Sequence, residues 1–202
     1  MSLWAGDTPL ILASQSRSRQ ALLQGAGIPF LAIPADIDER SIQAGSGLKE
    51  PGAIAALLAR SKALHVAAGE KGRVVVGADQ TLALKDRLFS KPVGRAQAAE
   101  QLRALAGATH ELHSAIAIAQ DDRVLFDHVA VARMTMRKLS DAAIERYLDT
   151  AGEAVTTSVG AYQLESVGVH LFERIEGDHF TILGLPLLPL LAALRDIGLA
   201  ED

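Results

Sequence analysis

Apolar runs and apolar stripes at helical spacing alternate along this chain, which predicts strands and helices in alternation. Helical patterns begin after a serine cap at Ser14 or Ser16, at Pro51, at Arg95 and after a serine cap at Ser140, and a last apolar helix ends near Gly198. Apolar or alternating segments predict strands at 9–13, 30–34, 73–79, 110–119, 124–136 and 169–173, and a hairpin at 82–89. Because no repeat, linker or low-complexity tract interrupts this order, one continuous α/β domain is the economical prediction.

The segment 73–81, with the sequence RVVVGADQT, is the most informative strand. Three consecutive valines indicate a buried strand. Asp79, Gln80 and Thr81 then follow at its predicted end, and ligands of α/β sheets bind at the carboxyl ends of strands. A strand followed by a polar turn is the simpler alternative.

A serine and arginine run opens the first predicted helix. Ser14 or Ser16 can be its N-cap, and Arg17 and Arg19 occupy its first turn. Cations are disfavoured at that end of the helix dipole unless an anion lies against the exposed N–H groups. The run therefore predicts an anion site, most plausibly for phosphate. The alternative is an arginine pair that points away into solvent.

An acidic segment follows the second predicted strand. Asp36, Asp38 and Glu39 supply oxygen ligands of the kind that suit Mg²⁺ or Mn²⁺, although a solvated acidic turn explains them equally well. The glycine- and serine-rich stretch 42–50 predicts a mobile loop or lid.

Two lysines lie in positions of interest. Lys62 falls inside the small-residue stripe of the helix at 51–69, where its side chain either extends to solvent or faces an anion. Lys91 lies shortly before the helix that begins at Arg95. His110 and His113 are three residues apart in a strand and face opposite sides, so we interpret them as structural and not as a shared metal site.

Length, net charge and the lack of cysteine exclude several classes of protein function. The chain has 202 residues, of which 49% are hydrophobic, enough for a full core in one domain or one domain with two lobes. A net charge of −4 argues against a general nucleic-acid or membrane surface. The absence of cysteine excludes disulfides and thiolate catalysis. The N-terminal segment lacks the pattern of a signal peptide, so we expect a cytoplasmic protein.

Seven short motifs together resemble the Maf family of nucleoside triphosphate pyrophosphatases. They are LASQSRSR at 12–19, the loop of Glu39, LARSKA at 58–63, GADQT at 77–81, SKP at 90–92, THELHS at 109–114, and GAYQLE through GDHFTILGLP at 160–186. They cover nearly the whole chain in the family's order. The chain contains neither a Walker A loop nor a GxGxxG stretch, which disfavours switch-type NTPases and dehydrogenases.

The resemblance implies a single domain over 1–202 with an elongated mixed sheet flanked by helices and two lobes around a deep central cleft. It further implies a homodimer that cleaves a nucleoside triphosphate to the monophosphate and pyrophosphate with Mg²⁺ or Mn²⁺. By resemblance, Asp79 is the proton acceptor that activates the water. Asp79 and Glu39 bind the metal, and Lys62 and Lys91 neutralise the negative charge of the phosphates. Ser14, Ser16 and Arg19 resemble the phosphate-binding helix start.

The resemblance also implies which residues read the base, namely Ser18, Gln80 and Glu165. Gln80 and Glu165 are similar to the branch that acts on 7-methyl-GTP, whereas the branch that acts on dTTP and UTP has Thr and Gln there. Ser18 matches neither branch. The alternatives are a dTTP/UTP-preferring enzyme, a nucleotide-binding regulator of septum formation without significant catalysis, and an unrelated anion-binding α/β domain.

Overall fold

The computed structural model describes residues 3–201, and within them strands and helices alternate along most of the chain. The strands are β1 (Leu10–Ala13), β2 (Phe30–Ala32), β3 (Val74–Leu84), β4 (Arg87–Phe89), β5 (Thr109–Gln120), β6 (Arg123–Met136) and β7 (Phe172–Glu176). The α-helices are α1 (Arg17–Gly25), α2 (Glu39–Ser46), α3 (Pro51–Gly69), α4 (Arg95–Leu105), α5 (Asp141–Ala151), α6 (His179–Ile182) and α7 (Leu187–Asp196). Short 3₁₀ helices span Gly152–Thr156, Val159–Ala161 and Val167–Leu171.

The strands form one mixed sheet in the order β2-β1-β3-β5-β6-β7, with β4 paired to β3. Strand β1 runs parallel to both neighbours, so that Leu12 pairs with Ala32 on one side and Val76 on the other. Strands β4 and β7 pair antiparallel to β3 and β6. The predicted α/β class with a mixed sheet and flanking helices is confirmed.

The chain divides into two compact units. The first contains the residues up to Gln80, 114–130 and those from His179 onward, and the second contains Thr81–His113 and Val131–Asp178.

The core of the first unit lies on both faces of its strands. On one face, strand residues pack with helices α1 and α7; this cluster includes Leu10, Leu12, Val76, Ala78, Ile116, Ile118, Leu23 and Leu190. On the opposite face, small residues of α3 pack against small residues of the strands; this cluster includes Ala13, Ala55, Ala59, Ala63, Ala115, Ala117 and Ala119. The alternation of side chains along β3 places Asp79 on the same face as Val75, which is the α3 face.

In the second unit, helices α4 and α5 are joined at their surfaces by ion pairs. Arg95 contacts Glu145 and Asp149, and Arg103 contacts Asp141. Because these side chains are roughly half exposed or more, the pairs contribute little to stability. The buried apolar residues Leu102, Leu105, Leu112 and Ile144 account for more of it.

Three local predictions were wrong. Strand β3 does not end at Asp79 but continues through Gln80 and Thr81 to Leu84. The stretch predicted as a mobile loop at 42–50 is largely helix α2, because Asp38 caps its first turn by accepting from the Ser41 N–H. The segment 169–173 is mostly 3₁₀ helix, and β7 begins at Phe172.

Within residues 3–201, no helix is both long enough and apolar enough to span a lipid bilayer.

His110 lies fully buried in the second unit. Its Nε2 is 2.6 Å from the Tyr162 hydroxyl, while its Nδ1 has no hydrogen-bond partner. Burial lowers the pKa of His110 from 6.5 to about 4. The prediction that this histidine is structural agrees with these contacts.

His110 predicts a specific acid sensitivity of folding. Because its pKa in the folded state lies below the unfolded value, protonation favours the unfolded chain, and stability is lost as the pH falls from 6.5 toward 4. At pH 4.5 the loss from this residue is about 2–3 kcal/mol relative to pH 7.5. Urea unfolding at both pH values checks this. The difference between the two pH values should be smaller for His110→Gln than for wild type, and an equal difference would contradict it.

Candidate active site

Lys62 connects two carboxylates in the first unit. Its Nζ lies 2.6 Å from Asp79 Oδ1 and 2.8 Å from Glu39 Oε1. Lys62 and Asp79 are buried, with 8% and 7% of their surface exposed, whereas the Glu39 side chain is 47% exposed. The side chain of Lys62 therefore does not extend into solvent, and the structure joins three residues that sequence reasoning singled out separately.

Gly77 explains why α3 lies close enough for this contact. A Cβ at position 77 would stand 2.2 Å from the Ala59 carbonyl oxygen and 2.6 Å from the Ala63 nitrogen. The backbone of α3 therefore packs directly on β3 where a side chain would otherwise separate them. Lys62 lies between these two contact residues in sequence, and Asp79 follows Gly77 by two residues on the same face of the strand.

Electrostatics at Asp79 reflect two opposing effects. Burial raises the pKa of Asp79, while the positive charges of Lys62 and Arg19 lower it. A raised pKa makes a carboxylate a stronger base, and the neighbouring cations favour its ionised form.

Arg19 is held by three oxygen acceptors. Its Nε donates to the Gly184 carbonyl at 2.8 Å, and its Nη1 donates to the Ala78 carbonyl at 2.8 Å and to Ser14 Oγ at 3.2 Å. Burial lowers the pKa of Arg19, whereas the negative charges of Asp79 and Glu39 raise it. Arg19 therefore adds a fixed positive charge next to the carboxylate of Asp79.

The start of α1 is organised as the sequence predicted, with one refinement. Of the two candidate caps, Ser16 is the N-cap and accepts from the Arg19 N–H, while Ser14 Oγ accepts from the Ser16 N–H. Arg17 is exposed, so the alternative of an outward arginine holds for Arg17 but not for Arg19. β1 ends at Ala13, paired with Gly77, which places this helix start at the carboxyl end of a parallel strand next to β3.

Gln80 faces the opposite side of β3 from Asp79. Its Nε2 donates to Ser114 Oγ at 2.7 Å and to the carbonyls of Thr181 and Ile182 at 3.1 and 3.0 Å. Ser114 in turn donates to the Thr181 carbonyl. Sequence reasoning missed Ser114 and the carbonyls of Thr181 and Gly184. These contacts join residues more than 60 positions apart in sequence, and no local pattern specifies them.

Three further residues were predicted from the sequence to belong to the site. Ser18 lies on α1 and is partly exposed. Lys91 and Glu165 belong to the second unit, where both are exposed. Their predicted roles in phosphate and base recognition stay predictions.

The donor set suits a hard divalent cation that shares its coordination with a phosphate ligand. Asp79 and Glu39 converge on the same Lys62 nitrogen, and Mg²⁺ commonly takes one or two protein carboxylates and completes its shell with phosphate oxygens and water. Among residues 3–201 there is no group of three or more His, Cys, Asp or Glu side chains arranged to hold a metal. The predicted metal-binding role of Glu39 and Asp79 stays a prediction.

Fold and site together define an α/β protein in which two cations, a helix N-terminus and two carboxylates meet beside the end of β1. A family model described as Maf-like protein matches residues 9–197, and the chain belongs to the Maf family.

Relatives of the chain have matching lengths. The nucleoside triphosphate pyrophosphatase of Bradyrhizobium diazoefficiens is 66% identical over 96% of this chain and 96% of its own. The 7-methyl-GTP pyrophosphatase of Rhizobium etli is 52% identical over 94% of this chain and 96% of its own. The solved HAM1 protein from Coxiella burnetii aligns with 63% of this chain and 72% of its own at a TM-score of 0.41 and 18% identity, which supports no conclusion about fold or function.

Gly77→Ala tests the close approach of α3 to β3. Because the new methyl group meets backbone atoms of Ala59 and Ala63, the helix must shift, and we expect a loss of about 1–3 kcal/mol in stability. The Lys62–Asp79 contact should lengthen, so nucleotide turnover per folded molecule should also fall. Gly69→Ala is the control, because its Cβ meets nothing within 4 Å. Equal stability and turnover in the two variants would contradict the assigned packing.

Proposed function

We propose that this protein is a nucleoside triphosphate pyrophosphatase that hydrolyses its substrate to the nucleoside monophosphate and pyrophosphate. The observation that carries the proposal is the buried Lys62 bound to Asp79 and Glu39 beside Arg19. Membership of the Maf family and the names of the relatives support it.

Asp79 is the proposed proton acceptor. A water molecule attacks the α-phosphorus and loses its proton to the carboxylate of Asp79, while the bond from the α-phosphorus to the bridging oxygen of the β-phosphate breaks. That oxygen and its electron pair leave as pyrophosphate. The raised pKa from burial suits Asp79 to this role, because a base works best when its pKa approaches the working pH.

Lys62 is the proposed phosphate contact closest to the base. An ammonium group has three N–H donors; Lys62 donates to Asp79 and forms an ion pair with Glu39. The third can serve a phosphate oxygen, so one side chain both orients the base and stabilises charge that develops on the phosphate. Arg19 and the N-terminus of α1 add positive potential, and by resemblance Lys91 adds a second ammonium group.

A divalent cation completes the proposal. Asp79 and Glu39 would hold Mg²⁺ or Mn²⁺ together with the substrate, and the cation would supply Lewis-acid neutralisation of phosphate charge.

The proposed substrate is a modified nucleotide, with 7-methyl-GTP the first candidate. The Rhizobium etli relative, which is 52% identical, is named 7-methyl-GTP pyrophosphatase. Gln80 and Glu165 resemble the branch of the family that acts on 7-methyl-GTP. An exposed carboxylate at Glu165 can attract a positively charged methylated base. A dTTP- or UTP-preferring enzyme is the alternative substrate class. Cytoplasmic location and a homodimer remain part of the proposal.

The direct test is pyrophosphate release from 7-methyl-GTP, GTP, UTP and dTTP with Mg²⁺ or Mn²⁺. Asp79→Asn and Lys62→Met should each lower kcat/KM by about 10²-fold or more, because they remove the base or its cationic partner. The exposed residues Asp86 and Lys71 provide matched controls, and Asp86→Asn and Lys71→Met should leave kcat/KM unchanged. Tight nucleotide binding by wild type with no release from any nucleotide would instead favour the non-catalytic regulator.

Glu165→Gln tests the base preference. If the carboxylate attracts the methylated base, the ratio of kcat/KM for 7-methyl-GTP to that for GTP should fall by about tenfold, whereas turnover of GTP should change little. Glu173→Gln, at another exposed glutamate of the second unit, is the control. An unchanged ranking of the four nucleotides would remove Glu165 from base recognition.

A further inference from the structure

Gln101 is a buried polar residue of the second unit that neither the motifs nor the proposed chemistry accounts for. It lies on α4 with 4% of its surface exposed. Its Nε2 donates to the Ser90 carbonyl at 2.8 Å, and its Oε1 accepts from the Gly160 N–H at 3.1 Å. Both ends of one amide therefore hold the backbone of two separate segments.

Each of these segments leads into a predicted site residue. Ser90 immediately precedes Lys91, the second predicted phosphate-binding lysine. Gly160 opens the segment that continues to Glu165, the predicted base-reading carboxylate. Since Gln101 contacts backbone and not these side chains, it can act on them only through the position of their segments.

The segment at Gly160 adopts a backbone conformation that requires support. Gly160 and Ala161 have φ values of +78° and +62°, and the second is unfavourable for a residue with a Cβ. A Cβ at Gly160 would also lie 2.6 Å from Leu82 Cδ1. Strained backbone of this kind persists only where surrounding contacts fix it, and such places are frequently functional.

Three buried side chains fix this segment at consecutive residues. Gln101 holds the Gly160 N–H, the Tyr147 hydroxyl donates to the Ala161 carbonyl at 3.1 Å, and His110 meets the Tyr162 hydroxyl. Of these three, Gln101 is the one whose second hydrogen bond reaches the segment of Lys91.

We propose that Gln101 is a positioning residue that couples the Lys91 segment to the segment leading to Glu165, so that phosphate binding and base recognition are set by one buried amide. The coupling itself stands on the hydrogen bonds of Gln101, and its effect on turnover rests on the proposed function. Gln101→Leu keeps much of the volume but removes both hydrogen bonds. In its ionised form, Gln101→Glu keeps the acceptor for Gly160 and loses the donor to Ser90.

Hydrogen exchange tests the coupling without any assay of activity. In Gln101→Leu, amides at 88–93 and at 158–166 should both exchange faster, whereas in Gln101→Glu the acceleration should be confined to 88–93. Ile144→Ala is the control, because it removes buried volume from α5 without touching either hydrogen bond. Exchange in both segments that matches Ile144→Ala would overturn the proposal.

Kinetics test the consequence for the site. Gln101→Leu should lower kcat/KM by about tenfold or more and reduce the preference among nucleotides, while Ile144→Ala should change neither per folded molecule. Lys91→Ala should cost several-fold less in the Gln101→Leu background than in wild type, since the lysine is already misplaced. Full additivity of the two substitutions would overturn action through Lys91. Inactive wild type would refute the proposed function, and the exchange result would still decide the coupling.

Discussion

The contact of one lysine with two carboxylates is the constraint on which the site depends. A buried carboxylate or ammonium group without a partner is strongly unfavourable, and breaking a buried pair by removing one partner costs about 3–5 kcal/mol. Lys62 and Asp79 are both buried, and the charge of each compensates the charge of the other in the interior. Glu39, half exposed on the first turn of α2, adds a second negative charge from the solvent side, which the positive charge of Arg19 offsets. Burying charged side chains costs free energy that apolar side chains would not cost, so this arrangement indicates a functional site.

The packing of small residues makes this contact possible. Alanines of α3 face alanines of β5 on one side of the sheet, and the absence of a side chain at Gly77 lets the helix backbone lie on β3. The opposite face carries larger leucines and isoleucines that pack with α1 and α7. The face with the small residues brings Lys62 close to Asp79, and the opposite face packs larger apolar side chains. Arg19 contacts the same strand from the face of α1 and α7 by donating to the Ala78 carbonyl.

Sequence patterns predicted the elements of this fold better than their ends. The valine run before Asp79 correctly placed a buried strand, yet β3 continues five residues beyond Asp79, because polar side chains are tolerated in a strand when each has a partner on its own face. Helix α2 was missed because its glycine and serine content suggested a loop. Asp38 was considered as a metal ligand or as part of a solvated acidic turn, and its capping role was not predicted. Arg19 and Lys62 were singled out from the sequence, but the partners that the structure gives them lie far away in sequence. The carbonyl of Gly184 and both hydrogen bonds of Gln101 follow from tertiary packing, and no local pattern specifies them.

In the proposed reaction, these residues direct a water molecule to the α-phosphorus of a nucleoside triphosphate. Hydrolysis in ¹⁸O-labelled water, followed by mass analysis of both products, tests this step. Attack at the α-phosphorus should leave one labelled oxygen in the nucleoside monophosphate and none in the pyrophosphate. Label in the pyrophosphate, or release of inorganic phosphate in place of pyrophosphate, would place the attack at another phosphorus and contradict it.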